Sequence, residues 1–132
     1  METYIFKKWE TIIGIPNNLY FLSLSDKYGS LTIFLKELGD DENTKCLKIE
    51  FKHTLMYRVT PESSRILPTN EIPAYNGFWI TKQSDLLNWF NKESAGIYDD
   101  ADLIHYTICN LDNIIEVITT ANGILSWTDV DL

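Results

Sequence analysis

The last forty residues of this chain contain no lysine and no arginine. Lys92 is the final base, and eight acidic residues follow it. Eleven acids balance the eleven bases up to that point, so the whole formal charge of −8 belongs to the C-terminal third. This distribution disfavours binding to nucleic acid or to an anionic membrane, because their phosphates require Lys and Arg. It permits a basic protein partner.

Long apolar runs are also missing, and cysteine is scarce. No run approaches the roughly 20 apolar residues that cross a bilayer. The N-terminus lacks the basic segment and apolar stretch of a secretory signal, so we expect a cytoplasmic protein. The two cysteines, Cys46 and Cys109, fit that compartment and leave a disulfide open. Without clustered histidines they do not predict a zinc site, and no cofactor is expected.

Catalytic motifs are absent as well. The sequence has no GxGxxG or P-loop for phosphates, no GxSxG for a nucleophilic serine and no HExxH for zinc. Two histidines remain as candidates for chemistry. His53 falls on an apolar strand face, which favours a structural role. His105 lies on the strand face opposite Ile104, Tyr106 and Ile108, which suits a surface function better than the position of His53 does, although a structural role is favoured for it too. A small enzyme or ligand-binding protein with a cleft near His105 is therefore the alternative function.

The composition predicts one folded domain over residues 1–132. A hydrophobic fraction of 45% and an aromatic fraction of 13% exclude a disordered chain. Most apolar segments alternate with period two, which is the pattern of strands. We expect a β-dominant α+β fold, with a curled antiparallel sheet or meander of about six to eight strands and one main helix near 84–94.

The clearest alternation runs over residues 45–60. At a rise of about 3.3 Å per residue, one strand of that length is too long for a small domain. We therefore expect a bend near His53–Thr54 or a break into two strands. The residues expected to be buried together are Leu47, Ile49, Phe51, Leu55, Tyr57 and Val59. Those expected to be exposed are Lys48, Glu50 and Lys52.

Turn residues delimit the other elements. Strands are predicted at 19–24, 31–37, 78–81, 103–109, 114–119 and 124–127. Polar turns are predicted at 25–30 and 39–43, with an irregular connection at 61–77. Residues 3–13 fit either a short helix or a strand. For the helix, Ser84 is a good N-cap, Asp85 suits the first turn and Gly96 suits the end.

The acidic loop after the helix has two interpretations. Asp99, Asp100 and Asp102 resemble a fragment of a calcium loop, but the turn glycine and the bidentate glutamate are missing. A solvated acidic loop is the simpler interpretation. The aromatic residues around it are expected in the core, although an exposed subset could form a binding patch. These aromatics are Trp79, Trp89, Phe90, Tyr98 and Trp127.

Several short strings carry a resemblance to a known group. In order they are LSLSD at 22–26, YRVTPE at 57–62, LNWF at 87–90 with ESAGI at 93–97, and HYTI at 105–108. Over most of the chain they resemble small uncharacterised bacterial proteins of the kind found beside polymorphic or contact-dependent toxin genes. The resemblance implies an immunity role and supplies no active-site residues.

These observations together predict a non-enzymatic protein-binding module, most concretely an immunity protein that binds and neutralises a toxin. A toxin nuclease has a basic substrate cleft, which an acidic surface can occupy. The predicted partner-binding residues are Tyr98, Asp99, Asp100, Asp102, Asp112 and Glu116. A subunit of a larger assembly is a third possibility, which a large exposed apolar patch would favour. The oligomeric state stays open.

Overall fold

The computed structural model describes residues 5–9, 14–39, 45–61 and 77–129 of the chain. These ranges form nine β-strands and one α-helix. In chain order they are β1 (Lys7–Lys8), β2 (Leu19–Lys27), β3 (Ser30–Glu37), β4 (Lys45–Phe51), β5 (Thr54–Pro61), β6 (Gly77–Thr81), α1 (Asp85–Glu93), β7 (Ile104–Cys109), β8 (Asn113–Thr119) and β9 (Ile124–Asp129). The fold is β-dominant, as predicted.

The strands form two antiparallel sheets, where a single sheet was expected. One is a five-stranded sheet in the order β1-β6-β7-β8-β5, and the other is a four-stranded sheet in the order β2-β3-β4-β9. Consecutive strands pair in β2–β3, β3–β4 and β7–β8. The pairings of β4 with β9 and of β5 with β8 join segments that are far apart in the sequence.

The main core lies between the two sheets. Alternate residues of β3 and β4 point into it, and each of them is fully buried: Leu31, Ile33, Leu35, Leu47, Ile49 and Phe51. The five-stranded sheet contributes Phe78, Tyr106, Ile108, Ile115 and Val117. The ring of Tyr106 lies 4.7 Å from Trp9 and 4.8 Å from Phe51, measured between centroids. This aromatic cluster joins the two sheets.

The predicted break in the long strand is confirmed. Strand β4 ends at Phe51, β5 begins at Thr54, and the two residues between them are exposed. Because β4 and β5 belong to different sheets, residues 45–60 do not share the single buried face that was predicted. Leu55 is only partly buried, and Tyr57 and Val59 are 37% and 41% exposed. Their predicted burial was wrong because β5 is the outermost strand of that sheet within the described chain.

The polar side of the long strand also differs in part from expectation. Lys52 is exposed, as predicted, whereas Lys48 and Glu50 are half-buried and form an ion pair of 3.4 Å. His53 was expected on the apolar face, but it lies exposed in the bend. The bend is held by its backbone, since Thr119 Oγ1 donates to the carbonyl of His53 at 2.9 Å.

Helix α1 matches the prediction closely. The hydroxyl of Ser84 caps it by accepting a hydrogen bond from the amide of Leu87 at 3.0 Å. The buried face of the helix packs with Leu103 and Ile118 on the outer face of the five-stranded sheet, the face turned away from the main core. That buried face is formed by Leu86, Leu87 and Phe90. Trp89, expected in the core, is 50% exposed.

Other predictions fall partly outside the described ranges. The N-terminal segment contributes the two-residue strand β1, which pairs with β6, and residues 10–13 lie outside. The turn at 40–43 and most of the connection at 61–77 also lie outside the described residues. In the turn between β7 and β8, the side-chain oxygen of Asn110 accepts from the amides of Asp112 and Asn113.

Candidate functional site

A row of polar residues crosses the outer face of the five-stranded sheet. In β7, His105 and Thr107 alternate with the inward-facing Tyr106 and Ile108, so they point outward. The register places Glu116 of β8 beside Thr107 and Arg58 of β5 beside Glu116. His105, Thr107 and Glu116 all have zero exposure. This outer face is therefore a second buried region, below the start of α1.

Four side chains in this region form a continuous hydrogen-bonded series, here called the polar chain: Ser84, His105, Glu116 and Arg58. Ser84 Oγ lies 2.8 Å from His105 Nδ1, and His105 Nε2 lies 3.0 Å from Glu116 Oε2. The other carboxylate oxygen of Glu116 accepts from Arg58 Nη2 at 2.7 Å and from Nε at 3.0 Å. The polar chain thus links the helix cap to three elements of the sheet.

The proton positions in the polar chain follow from counting donors. Ser84 Oγ already accepts from the amide of Leu87, so its single proton is available to donate to His105 Nδ1. The Nε2 atom of His105 then carries the imidazole proton and donates to Glu116. With this assignment Ser84, His105 and Glu116 each have a hydrogen-bond partner.

Glu116 stays ionised over a wide pH range. Burial by itself would raise the pKa of this carboxyl. The hydrogen bond from His105 and the positive charge of Arg58 act in the opposite direction and outweigh burial, so the pKa of Glu116 falls to about 2. The carboxylate is therefore the negative centre that holds both neighbours in place.

The polar chain contains the residue types of a nucleophilic triad, but its geometry is different. In a serine triad the hydroxyl bonds to Nε2 of the histidine and the acid bonds to Nδ1. Here the two nitrogens are exchanged, and Ser84 is occupied as a helix cap. Ser84, His105 and Glu116 are all fully buried. The arrangement anchors α1 to the sheet and presents no accessible nucleophile or base.

Two predictions are corrected by this burial. A cleft beside His105 was the alternative to a structural role for this histidine, and Glu116 was expected in the partner-binding surface. Both are inaccessible because α1 and its neighbours cover the outer face of the five-stranded sheet. The edge of the Phe6 ring also approaches His105, with 6.2 Å between the ring centroids.

A cavity of about 220 Å³ lies beside α1, between the helix and the segment that leads from it to β7. We call it the helix pocket. The polar and aromatic residues that line it are Lys82, Gln83, Asn88, Asn91, Tyr98, Asp99 and Asp102. One ring interaction fixes its aromatic wall, since Tyr98 stacks on Phe90 with 5.3 Å between centroids and 29° between planes.

Three charged residues line the helix pocket: Lys82, Asp99 and Asp102. Lys82 Nζ lies 3.2 Å from Asp102 Oδ1, and both side chains are largely exposed. Asp99 packs over Gly96, whose φ is +80°, so closely that a Cβ added at Gly96 would lie 2.9 Å from Asp99 Oδ2. The side-chain oxygen of Asn91 is buried and has no hydrogen-bond partner. Two carboxylates and one ammonium group therefore line the pocket.

The predicted partner-binding residues separate into three places. Tyr98, Asp99 and Asp102 line the helix pocket, and Asp100 is exposed in the same loop. Asp112 is exposed in the turn between β7 and β8, where its Oδ2 accepts from the amide of Phe21 at 2.8 Å. That bond ties the turn to strand β2 of the other sheet. Glu116 belongs to the polar chain.

Sequence reasoning missed the polar chain and the amides of the pocket. A signal for Glu116 was available, because it is the only polar residue in the apolar run Ile114–Ile118, and a lone acid there indicates a paired, buried carboxylate. Asn88 and Asn91 are three residues apart and share one side of α1. Nothing in the sequence marks that side as facing a cavity.

Neither a metal centre nor a disulfide is found in the described ranges. No group of three His, Cys, Asp or Glu side chains there could hold a metal ion. Cys46 and Cys109 are both buried, and neither belongs to a disulfide. Among the described residues no helix has the length and apolar character needed to cross a membrane.

Comparisons with models of known protein families, with curated proteins and with solved structures find no match to this chain.

Proposed function

We propose that this protein is a non-enzymatic protein-binding module, and that the helix pocket with its acidic loop contacts a basic protein partner. One observation carries the proposal. Three of the residues predicted from the sequence, the acidic Asp99 and Asp102 and the aromatic Tyr98, line the same cavity beside α1. Asp100 is exposed in the same loop. The acidic loop lies in the base-free part of the chain, whereas the other half of the pocket lining, which includes Lys82, comes before it.

The chemistry of this surface suits a protein partner. Tyrosine is enriched at the energetic centres of interfaces, where an aromatic ring buries a large area and keeps a polar end. Exposed carboxylates around such a centre accelerate encounter with a basic partner and select against acidic ones. Trp89, on α1, is a further large aromatic side chain at the surface.

The more specific proposal is an immunity protein that binds and neutralises a toxin domain. It rests on the resemblance of the short strings to proteins found beside toxin genes, and on the acidic excess, which complements the basic cleft of a nuclease toxin. The alternative, a small enzyme or ligand-binding protein with a cleft at His105, has weaker support because His105 has no exposed surface.

The test is a binding measurement with the product of the gene immediately upstream. The variant neutralises Asp99, Asp100 and Asp102 together as asparagines. A matched control neutralises Asp26, Glu37 and Asp129, which belong to the four-stranded sheet, as their amides. We expect the wild-type chain and the control to bind and the acidic-loop variant to bind more weakly. If the wild-type chain does not bind that protein, the immunity proposal is wrong.

A further inference from the structure

Strand β2 lies at one edge of the four-stranded sheet within the described chain. It is nine residues long, and the side chains of Leu19, Phe21 and Leu24 pack in or against the main core. A long apolar edge strand offers a row of backbone donors and acceptors to any other extended chain, and natural proteins block such edges. On β2 the blocking groups come from the other sheet.

The turn between β7 and β8 occupies the start of this edge. The backbone amide of Phe21 donates to Asp112 Oδ2 at 2.8 Å, and the amide of Leu111 donates to the carbonyl of Leu19 at 2.9 Å. In an antiparallel pair, alternate residues turn both backbone groups to the same side. Leu19 and Phe21 therefore point away from β3, and the turn takes the place of a neighbouring strand there.

Asp112 is held in position for this contact by its own turn. Asn110 is buried, and its side-chain oxygen accepts from the amides of Asp112 and Asn113 at 2.9 and 3.1 Å. Its Nδ2 atom donates to Asn113 Oδ1 at 2.7 Å. A carboxylate accepts a hydrogen bond from an amide more strongly than a neutral carbonyl does. Asp112 is therefore an effective competitor against the backbone of an incoming strand.

The rest of the edge shows which backbone groups an incoming strand would meet. Residues 28–29 both have positive φ and form the two-residue turn that joins β2 to β3. Lys27, next to that turn, belongs to the hydrogen-bonded pair that closes it and points towards β3. The alternate residues Leu24 and Asp26 therefore point outward, as Leu19 and Phe21 do at the start of the strand.

This arrangement is complementary to a second copy of itself. The register of β2 shifts between Phe21 and Ser23, so the outward residues are odd-numbered before the shift and even-numbered after it. In an antiparallel pairing about a two-fold axis, every outward residue can therefore lie opposite another outward residue. The pairs are Leu19 with Asp26 and Phe21 with Leu24. No two like charges lie opposite each other in this pairing.

We propose that the turn between β7 and β8 is an edge block, in which Leu111 and Asp112 occupy the start of β2 and prevent a second copy of this chain from adding its own β2 strand. Without the block, the four-stranded sheets of two copies can join edge to edge. The proposal goes beyond the binding function proposed above and does not depend on it. It gives Asp112 a role within the chain.

Removing the acceptor tests the edge block. For Asp112→Ala, sedimentation velocity should show a dimer whose share rises as the protein concentration increases from about 10 µM to 1 mM. The wild-type chain should show no such rise. Asp112→Asn keeps a side-chain oxygen in the same place and should behave like the wild-type chain. Asp100→Ala makes the same change in net charge in the exposed loop after α1 and should also leave the mass unchanged.

Hydrogen exchange at the Phe21 amide distinguishes an edge block from a bond that only stabilises the fold. In Asp112→Ala at low protein concentration, this amide should exchange at least about tenfold faster than in the wild-type chain. Its exchange should slow again as the concentration rises, because the strand of the second copy then covers it. A bond that only stabilises the fold would give fast exchange at every concentration and no increase in mass.

Two further variants complete the test. Leu111→Pro removes the other hydrogen bond of the edge block, and proline suits the second position of a tight turn. It should also promote the dimer, and it carries the same test if Asp112→Ala does not fold. Ser23→Lys, added to Asp112→Ala, places two like charges beside the two-fold axis and should restore the mass of the wild-type chain.

Three results would overturn the proposal. The first is that Asp112→Ala and Leu111→Pro keep the mass of the wild-type chain at every concentration. The second is that Asp112→Asn associates as strongly as Asp112→Ala, since the acceptor oxygen is then irrelevant. The third is that Ser23→Lys leaves the association of Asp112→Ala unchanged, which would place the contact between copies on a surface other than β2.

Discussion

Arg58 and Glu116 face each other across strands β5 and β8, and the guanidinium donates two hydrogen bonds to one carboxylate oxygen, at 2.7 and 3.0 Å. The side chain of Glu116 is fully buried, whereas that of Arg58 keeps 35% exposure. The partly exposed guanidinium of Arg58 therefore supplies the positive charge that pairs with the buried carboxylate of Glu116. His105 Nε2 bonds to the other oxygen of that carboxylate.

Replacing Glu116 by glutamine should destabilise the fold by about 3 kcal/mol, the lower end of the range for breaking a buried ion pair, because Arg58 can regain water. Chemical denaturation followed by tryptophan fluorescence measures the change. Glu50→Gln is the control, since its ion pair with Lys48 is half-exposed and should be worth about 1 kcal/mol or less. Equal losses for the two variants would contradict the role given to Glu116.

The pKa of Glu116 predicts how stability depends on pH. The carboxyl has a pKa of about 2 in the folded chain against an ordinary value of 4.5. A lowered folded pKa means that the stabilisation is complete above about pH 4.5 and is lost as the pH falls towards 2. The loss should be on the order of 3 kcal/mol. Denaturation between pH 2 and 6 should show a steeper acid loss for the wild-type chain than for Glu116→Gln, and parallel curves would refute this explanation.

Phe51 and Tyr57 lie on the two halves of the broken strand and should respond differently to truncation. Phe51→Ala removes a fully buried ring packed against Trp9 and Tyr106, at a cost of about 3–5 kcal/mol. Tyr57→Ala alters a side chain that is 37% exposed and should cost about 1 kcal/mol or less. Thermal or chemical unfolding of both variants provides the comparison, and similar losses would contradict the described burial.

Gly123 is needed for space rather than for a turn. A Cβ at this position would lie 2.6 Å from a ring carbon of Phe51 and 2.8 Å from one of Trp9. Gly123→Ala should therefore force the aromatic cluster apart and destabilise the fold by about 1–3 kcal/mol. Gly14→Ala is the matched control, because an added Cβ there meets nothing within 4 Å. The two variants are compared by their unfolding midpoints in denaturant.

The proposed binding surface makes a kinetic prediction. Neutralising Asp99, Asp100 and Asp102 together should mainly slow association with the partner, and added salt should slow the wild-type chain in the same way. Tyr98→Ala should instead accelerate dissociation, because it removes a packed aromatic contact. Stopped-flow or surface-based kinetics over a salt series separates the two effects. Association rates that change neither with salt nor with the substitutions would refute electrostatic steering.

The helix cap and the break in the long strand could be predicted because each depends on residues that are close together in the sequence. Ser84 precedes an apolar stripe and caps α1 as expected. The length of the alternating segment required the break that the structure has at Lys52–His53. In both cases backbone geometry and neighbouring side chains decide the outcome within a few residues.

The burial of His105 and Glu116 could not be predicted in the same way. Alternation assigns residues to one of two strand faces, but it does not show whether a face meets water or another layer. Both faces of β7 and β8 are covered, one by the four-stranded sheet and one by α1 with its neighbours. The helix pocket is a similar case, because it exists only where α1 and the segment after it come together.

The pairing of β4 with β9 and of β5 with β8 has a consequence for how the chain folds. Each pairing joins strands separated by much of the sequence, so long loops must close, at an entropic cost, before the core between the sheets can form. Proteins dominated by such distant contacts fold in milliseconds to seconds rather than microseconds. Because β9 completes the four-stranded sheet from near the end of the described chain, a ribosome must synthesise nearly all of these residues before that sheet can close.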